Sequence, residues 1–196
     1  MIIINILTRT SNRPNYFDIN YNSVKSQILP ENIIEIVLCG SYRRGKPTCG
    51  DMDILITRKD HGGIDGILSS LITSLKEIGL LKETFTNLKT SHDNYVFMGM
   101  MQLKESFPNR RVDIKVYKRE CFAFALLYFT GSAYFNRSMR LLANKLGFSL
   151  SDQGLEKVNR IKSEKISIGE NIECNAEKDI FKALGLSYKT PSERDI

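Results

Sequence analysis

In the run Asp51-Met52-Asp53-Ile54-Leu55-Ile56-Thr57 two acids alternate with Met52, Ile54 and Ile56. Side chains of an extended chain point alternately to opposite faces, so Asp51 and Asp53 share one face and the three apolar residues share the other. The run reads as a strand with one face in a core and a pair of carboxylates on the other. A second run, Arg111-Val112-Asp113-Ile114-Lys115-Val116-Tyr117, repeats the pattern. Val112, Ile114 and Val116 form its buried set, and Asp113 lies between Arg111 and Lys115 on the opposite face. Side by side, the two strands would gather three carboxylates. Like charges at close range raise one another's pKa, so such a face requires a cation. Ligation by oxygen alone favours Mg2+, with Mn2+ as a substitute, over zinc.

Ahead of Asp51 an apolar strand over residues 33–38 leads into Cys39-Gly40-Ser41-Tyr42-Arg43-Arg44-Gly45-Lys46-Pro47-Thr48-Cys49-Gly50. Gly40 lets backbone amides approach a phosphate. A lone Gly-Ser is usually a turn, and a lone Asp-x-Asp is usually a solvated strand end. Their order here is more specific: apolar strand, Gly-Ser with a basic segment, Asp-x-Asp strand, later apolar-Asp-apolar strand. The conjunction points to a protein that holds a nucleoside triphosphate on metal ions.

Composition narrows the class without fixing it. The 196 residues include 42% hydrophobic ones but no long apolar run, which excludes a membrane-spanning helix and predicts a soluble protein. The apolar start, Met1 to Leu7, is followed by Thr8-Arg9-Thr10 and lacks a basic segment before it, so it reads as an edge strand and not a secretion signal. An intracellular protein is expected, in the nucleus or a viral replication compartment. Cys39, Cys49, Cys121 and Cys174 show no Cys-x-x-Cys spacing and His61 and His92 stand apart, which argues against a disulfide scaffold and a zinc site. The net charge of +6 gives modest support to a polyanionic partner. Residues 121–165 hold seven Lys or Arg against three acids.

The organisation changes near Lys118. Residues 1–117 read as an α+β domain, with an amphipathic helix over 66–78 and a strand near 96–103 beside the two acidic strands. Residues 118–196 begin with helices over 120–128 and 132–146. In the second of these Phe135, Met139, Leu142 and Leu146 recur as a core stripe, while Ala133, Asn136 and Arg140 share another face. Asn175 is the expected N-cap of a later helix that stops at Gly185.

The residues from Cys39 to Thr57, Phe97-Met98-Gly99 with Gln102-Leu103, Arg110 to Ile114, and above all Leu127-Tyr128-Phe129-Thr130-Gly131-Ser132 with Phe135-Asn136 and Met139-Arg140, carry a resemblance to the family X DNA polymerases. It continues through Gly147-Phe148 and Glu177 to Phe181, and on to Tyr188-Lys189-Thr190-Pro191-Ser192-Glu193-Arg194. The fold it implies is a polymerase beta-like nucleotidyltransferase palm followed by a small α+β thumb-like domain that selects the nucleotide. The residues before Ile33 are too few for the lyase and DNA-gripping domains of the larger members. The chain is similar in this to the reduced two-domain polymerase X of a large DNA virus, and no lyase activity is expected.

By this resemblance Asp51, Asp53 and Asp113 are the catalytic residues and the ligands of two metal ions, with Asp113 also accepting the proton of the primer 3'-hydroxyl. Ser41 and Arg44 would bind the β and γ phosphates, with Gly40, Cys49 and Gly50 beside them. Tyr128, Phe129 and Gly131 would pack on the sugar, and Asn136 and Arg140 would contact the base pair from its minor-groove side. Without the motif, Tyr128 and Phe129 read equally well as core aromatics. The Gly131-Ser132 peptide would be cis. Three positions depart from polymerase beta: Cys49 stands for a serine, Ala133 for an acid, and Lys115 for an arginine.

The reading that follows is a template-directed DNA polymerase of the repair type, filling short gaps with dNTP. Gapped or primer-template DNA would be its partner, the protein a monomer, and a ligase or other repair protein a further partner. The alternatives are a nucleotidyltransferase that is template-independent or uses another acceptor, and a DNA-binding scaffold without catalysis. The three intact carboxylates argue against the scaffold.

Overall fold

The computed structural model describes residues 33–85, 89–90, 94–102, 105–161 and 164–195. The expected N-terminal edge strand, Leu103 and His92 lie outside the described residues. The chain forms two compact units. One holds Thr48–Lys118 with the described residues up to Leu38; the other holds Cys39–Pro47 and Arg119–Ile196.

In the first unit the elements are β1 (Ile34–Leu38), β2 (Asp51–Arg58), α2 (Ile67–Glu77), β3 (Leu81–Thr84), β4 (Lys89–Thr90), β5 (Asn94–Met101) and β6 (Arg110–Tyr117); the short helix α1 (Gly40–Arg43) belongs to the other unit. Among the described residues the strands form one sheet in the order β1-β2-β6-β5-β3, with β4 on β5. The pair β2–β6 is parallel and the remaining pairs are antiparallel. This is the α+β architecture that the alternation of strand and helix patterns predicts.

Periodicity explains the core. The period-2 apolar sets of β2 and β6 bury Ile54, Ile56, Val112, Ile114 and Val116, each at most 1% exposed. Helix α2 lays Leu68, Leu71, Ile72 and Leu75 against them, the i, i+3, i+4, i+7 stripe of an amphipathic helix. Full burial of one such side chain contributes about 1.5–3 kcal/mol, and the cluster is contiguous. The acidic face of β2 is not solvated along its whole length, as simple alternation implies. Leu55 and Thr57 on that face are fully buried, so water reaches only its N-terminal end, where Asp51 and Asp53 lie.

The second unit contains α3 (Arg119–Thr130), α4 (Ala133–Lys145), β7 (Phe148–Leu150), β8 (Leu155–Ile161), β9 (Glu164–Asn171), α5 (Glu177–Ala183) and a 3-10 turn (Pro191–Arg194). The strands form an antiparallel sheet in the order β7-β8-β9. Helices α3, α4 and α5 supply Phe124, Leu127, Phe135, Met139, Ala143, Ile180 and Phe181 to one core. Two expectations are corrected here. Leu146 is 48% exposed, because α4 ends at Lys145 and Leu146 is its C-cap; Ala143 completes the stripe. The N-cap of α5 is Ala176, not Asn175. Capping comes instead from within the first turn, where the Asp179 carboxylate accepts the backbone N–H groups of Ala176 (2.9 Å) and Asn175 (3.1 Å).

Candidate nucleotidyl-transfer site

The parallel register of β2 and β6 sets Asp53 opposite Asp113 and Asp51 opposite Arg111. Residues paired across a sheet share a face, so this register places the three aspartates, Arg111 and Lys115 on one surface of the first unit. The two cations interleave with the three anions. Arg111 donates through Nη2 to Asp51 Oδ2, and its Nε lies 3.5 Å from Asp113 Oδ1. Lys115 Nζ donates to Asp53 Oδ1 at 2.8 Å and lies 3.8 Å from Asp113 Oδ2. Lys115 is itself only 5% exposed.

Asp113 carries the strongest electrostatic conflict on this face. Burial pushes its carboxyl above the ordinary carboxylate range; Lys115 and Arg111 pull it down, and Asp53 and Asp51 push it up again. Its Oδ1 is buried and accepts no hydrogen bond. Among the described residues no three His, Cys, Asp or Glu side chains converge closely enough to enclose a cation. The donor set nonetheless fits a hard divalent ion: carboxylate oxygens from two adjacent strands, one with an unused buried lone pair. Cys49, half-buried and unpaired with any disulfide partner, and Gly50, exposed with open space at its Cα, lie just before β2.

The remaining candidates belong to the second unit. Gly40 opens α1 with φ 58°, a left-handed backbone that residues with a Cβ rarely adopt. Ser41 lies within α1, and Arg44 is its C-cap. Arg44 donates from Nη1 to the Thr130 carbonyl oxygen at 2.7 Å and from Nε to Asp195 Oδ1 at 3.1 Å. Lys46 Nζ is paired with Asp195 Oδ2. Gly131 has φ 68°, and a Cβ there would lie 3.3 Å from Arg44 Nη1. The Gly131-Ser132 peptide is cis. Ser132 N-caps α4, its side chain accepting from Phe135 N.

Tyr128 is 38% exposed and Phe129 half-buried; they meet edge to face with centroids 5.1 Å apart, and neither joins the core of the unit. Of the two readings left open by the sequence, core packing does not describe them. Asn136 donates from Nδ2 to the Tyr128 carbonyl at 2.7 Å, tying α4 to the end of α3. Arg140 is exposed on α4, and Tyr128, Asn136 and Arg140 line one shallow depression with Phe124, Leu127 and Met139.

Sequence reasoning missed the group that anchors α1. Arg43 donates from Nη1 and Nη2 to both Glu177 oxygens (2.9 and 2.8 Å), and from Nη1 to Thr130 Oγ1 at 2.5 Å. Arg194 Nη1 donates to Glu177 Oε1 at 2.6 Å, and its guanidinium lies over the rings of Phe135, Phe181 and Tyr188 at 5.4–5.6 Å. Arg194 is fully buried and Glu177 is 5% exposed. Burial raises the Glu177 carboxyl, but the hydrogen bonds and charges of Arg43 and Arg194 outweigh it and hold the group below the ordinary range. The only signal in the sequence was the doubled arginine at 43 and 44.

Two family models match the chain: DNA polymerase beta palm over residues 20–119 and DNA polymerase beta thumb over residues 125–195. DNA polymerase lambda of Rattus norvegicus is 44% identical over 162 residues, which cover 81% of this chain and 28% of that protein. DNA polymerase lambda of Arabidopsis thaliana is 35% identical over 170 residues, covering 83% of this chain and 32% of that protein. The chain thus spans less than a third of the length of either relative.

Proposed function

The chain belongs to the family X DNA polymerases, and from that membership we propose that it extends a primer 3'-hydroxyl on gapped DNA, adding the dNTP that the template specifies. The observation that carries the chemistry is the pairing of Asp53 with Asp113 in a parallel register, with Asp51 on the same face. Asp51, Asp53 and Asp113 would hold divalent ions, Mg2+ or Mn2+. Bound there, such ions supply the positive charge that neutralises the triphosphate and the departing pyrophosphate.

The chain's own groups have separable tasks. Asp113 is the acceptor for the proton of the attacking 3'-hydroxyl: its Oδ1 is buried on the shared face and has no hydrogen-bond donor, which leaves a lone pair for that proton. Arg111 and Lys115 limit the mutual repulsion of the three carboxylates and keep them oriented. Ser41 and Arg44 would hold the β and γ phosphates, with amides near Gly40 and Gly50 as further donors. Tyr128 and Phe129 would take the sugar, and Asn136 and Arg140 the minor-groove edge of the new pair. The excess of Lys and Arg over residues 121–165 suits a DNA backbone.

The finer reading is repair: short gaps as substrate, a monomeric enzyme, and a ligase to seal its product. Primer extension on DNA with a one-nucleotide gap, compared with the same primer lacking a template and with Mg2+ present or chelated, tests it. Incorporation of only the complementary nucleotide, dependent on metal, is expected. Equal extension without a template would replace this reading with a template-independent transferase.

A further inference from the structure

Two adjacent arginines at the end of α1 have partners of opposite character. Arg43 is clamped on Glu177, which is 5% exposed and is gripped a second time by the fully buried Arg194. That partner is inaccessible to any ligand. Arg44 faces Asp195, whose carboxylate is 24% exposed and is shared with Lys46, itself 48% exposed. We propose that Asp195 is an internal competitor for phosphate: its carboxylate neutralises Arg44 and Lys46 until the triphosphate of the nucleotide displaces it. The proposal rests on Arg44 being a phosphate ligand and adds what sets the strength of that contact.

Three features support displacement over a fixed structural pair. The guanidinium of Arg44 has a second anchor that carries no charge, the Thr130 carbonyl at 2.7 Å, so Arg44 keeps its place when Asp195 leaves. Asp195 reaches the pair from 151 residues along the chain, with one oxygen on each cation, so its departure uncovers two adjacent positive charges at once. Ion pairs open to water hold weakly, and a triphosphate carries several negative charges against one on Asp195. The consequence is that nucleotide affinity is set below what Arg44 and Lys46 alone would give.

The test is calorimetric binding of dATP and of inorganic tripolyphosphate to the DNA-free protein, with thermal melts alongside. Asp195→Asn keeps an acceptor oxygen for Arg44 Nε but removes the charge, and it is expected to tighten both ligands about fivefold. Arg44→Gln is expected to weaken both. If Asp195→Asn binds no tighter while Arg44→Gln weakens binding, Asp195 orients Arg44 and the competition is refuted, with the role of Arg44 intact. If Arg44→Gln changes nothing, the phosphate reading of Arg44 falls, and the competition with it. A measurement on the unaltered protein is independent of folding in the variants. The Asp195 carboxyl, held low by hydrogen bonds from Lys46 and Arg44, should titrate closer to the ordinary range once tripolyphosphate is bound, as followed by carboxyl carbon NMR. A carboxyl that stays low in the complex overturns the proposal.

Discussion

Asp53 and Asp113 are direct neighbours across the parallel pair β2–β6, and Lys115 reaches both, donating to Asp53 at 2.8 Å and lying 3.8 Å from Asp113. This pairing is the centre of the proposed catalytic face. Asp113→Asn removes one charge with almost no change of volume. Incorporation should fall by more than a hundredfold, because a metal ligand and the proton acceptor disappear together. DNA binding and the melting temperature should persist. Single-turnover primer extension checks this, and a residual rate above about one hundredth of the original contradicts the role given to Asp113.

Glu177 is the buried hub for Arg43 and Arg194, so Glu177→Gln should destabilise the second unit by about 3 kcal/mol at neutral pH. The pH dependence has a definite sign. The folded-state pKa is lowered, so the stabilising contribution of Glu177 is present above its unfolded value of 4.5 and is lost as pH falls below it. The difference in denaturant stability between the original protein and Glu177→Gln should therefore shrink below pH 4.5. A constant gap down to pH 3 would mean that the carboxylate charge is not what the two arginines hold.

Gly131 combines φ 68° with a Cβ position 3.3 Å from Arg44 Nη1. Gly131→Val should cost about 1–2 kcal/mol of stability through the backbone alone. Crowding of Arg44 should weaken nucleotide binding by about tenfold, the effect of losing one charge-assisted hydrogen bond. Parallel thermal melts and nucleotide titrations separate the two. Loss of stability with unchanged affinity would remove Arg44 from the nucleotide site.

Binding of gapped DNA should weaken with salt, log K falling by about 0.9 for each phosphate contact per log unit of salt. The basic residues over 121–165 supply the cations, Arg137, Arg140 and Lys145 among them on or at the end of α4. A titration from low to physiological salt measures the slope. A flat response would exclude phosphate contacts as the main grip.

Much of the first unit was legible because its signals are local. Alternation in 51–57 and 111–117 picks out the core set Ile54, Ile56, Val112, Ile114 and Val116, though not the burial of Leu55, Thr57 and Lys115 on the other face, and the helical stripe of α2 needs only four aliphatic positions. That β2 and β6 run parallel, with Asp53 opposite Asp113, has no local signature; it follows from how the whole sheet closes. Leu146 misled because an apolar stripe does not show where its helix stops. Asp179 was overlooked as a cap because it acts backwards from the first turn of α5. The Arg43–Glu177–Arg194 group was invisible for a different reason: its members are 134 and 17 residues apart, and nothing near Arg194 in the sequence announces an arginine buried under aromatic rings.

The parallel pairing of β2 with β6 also bears on how the proposed site is put together. Parallel neighbours cannot be joined by a tight turn, and 60 residues separate Asp51 from Arg111. While the chain is being made, the Asp51–Asp53 strand therefore emerges long before both Asp113 and the two cations that offset its charge. The proposed catalytic face cannot be complete until the last strand of the sheet stands between β2 and β5. An unfinished chain that stops short of Arg110 carries two of the three proposed ligands and neither of their counter-charges, so on the proposed chemistry it would be inert for a reason built into its topology.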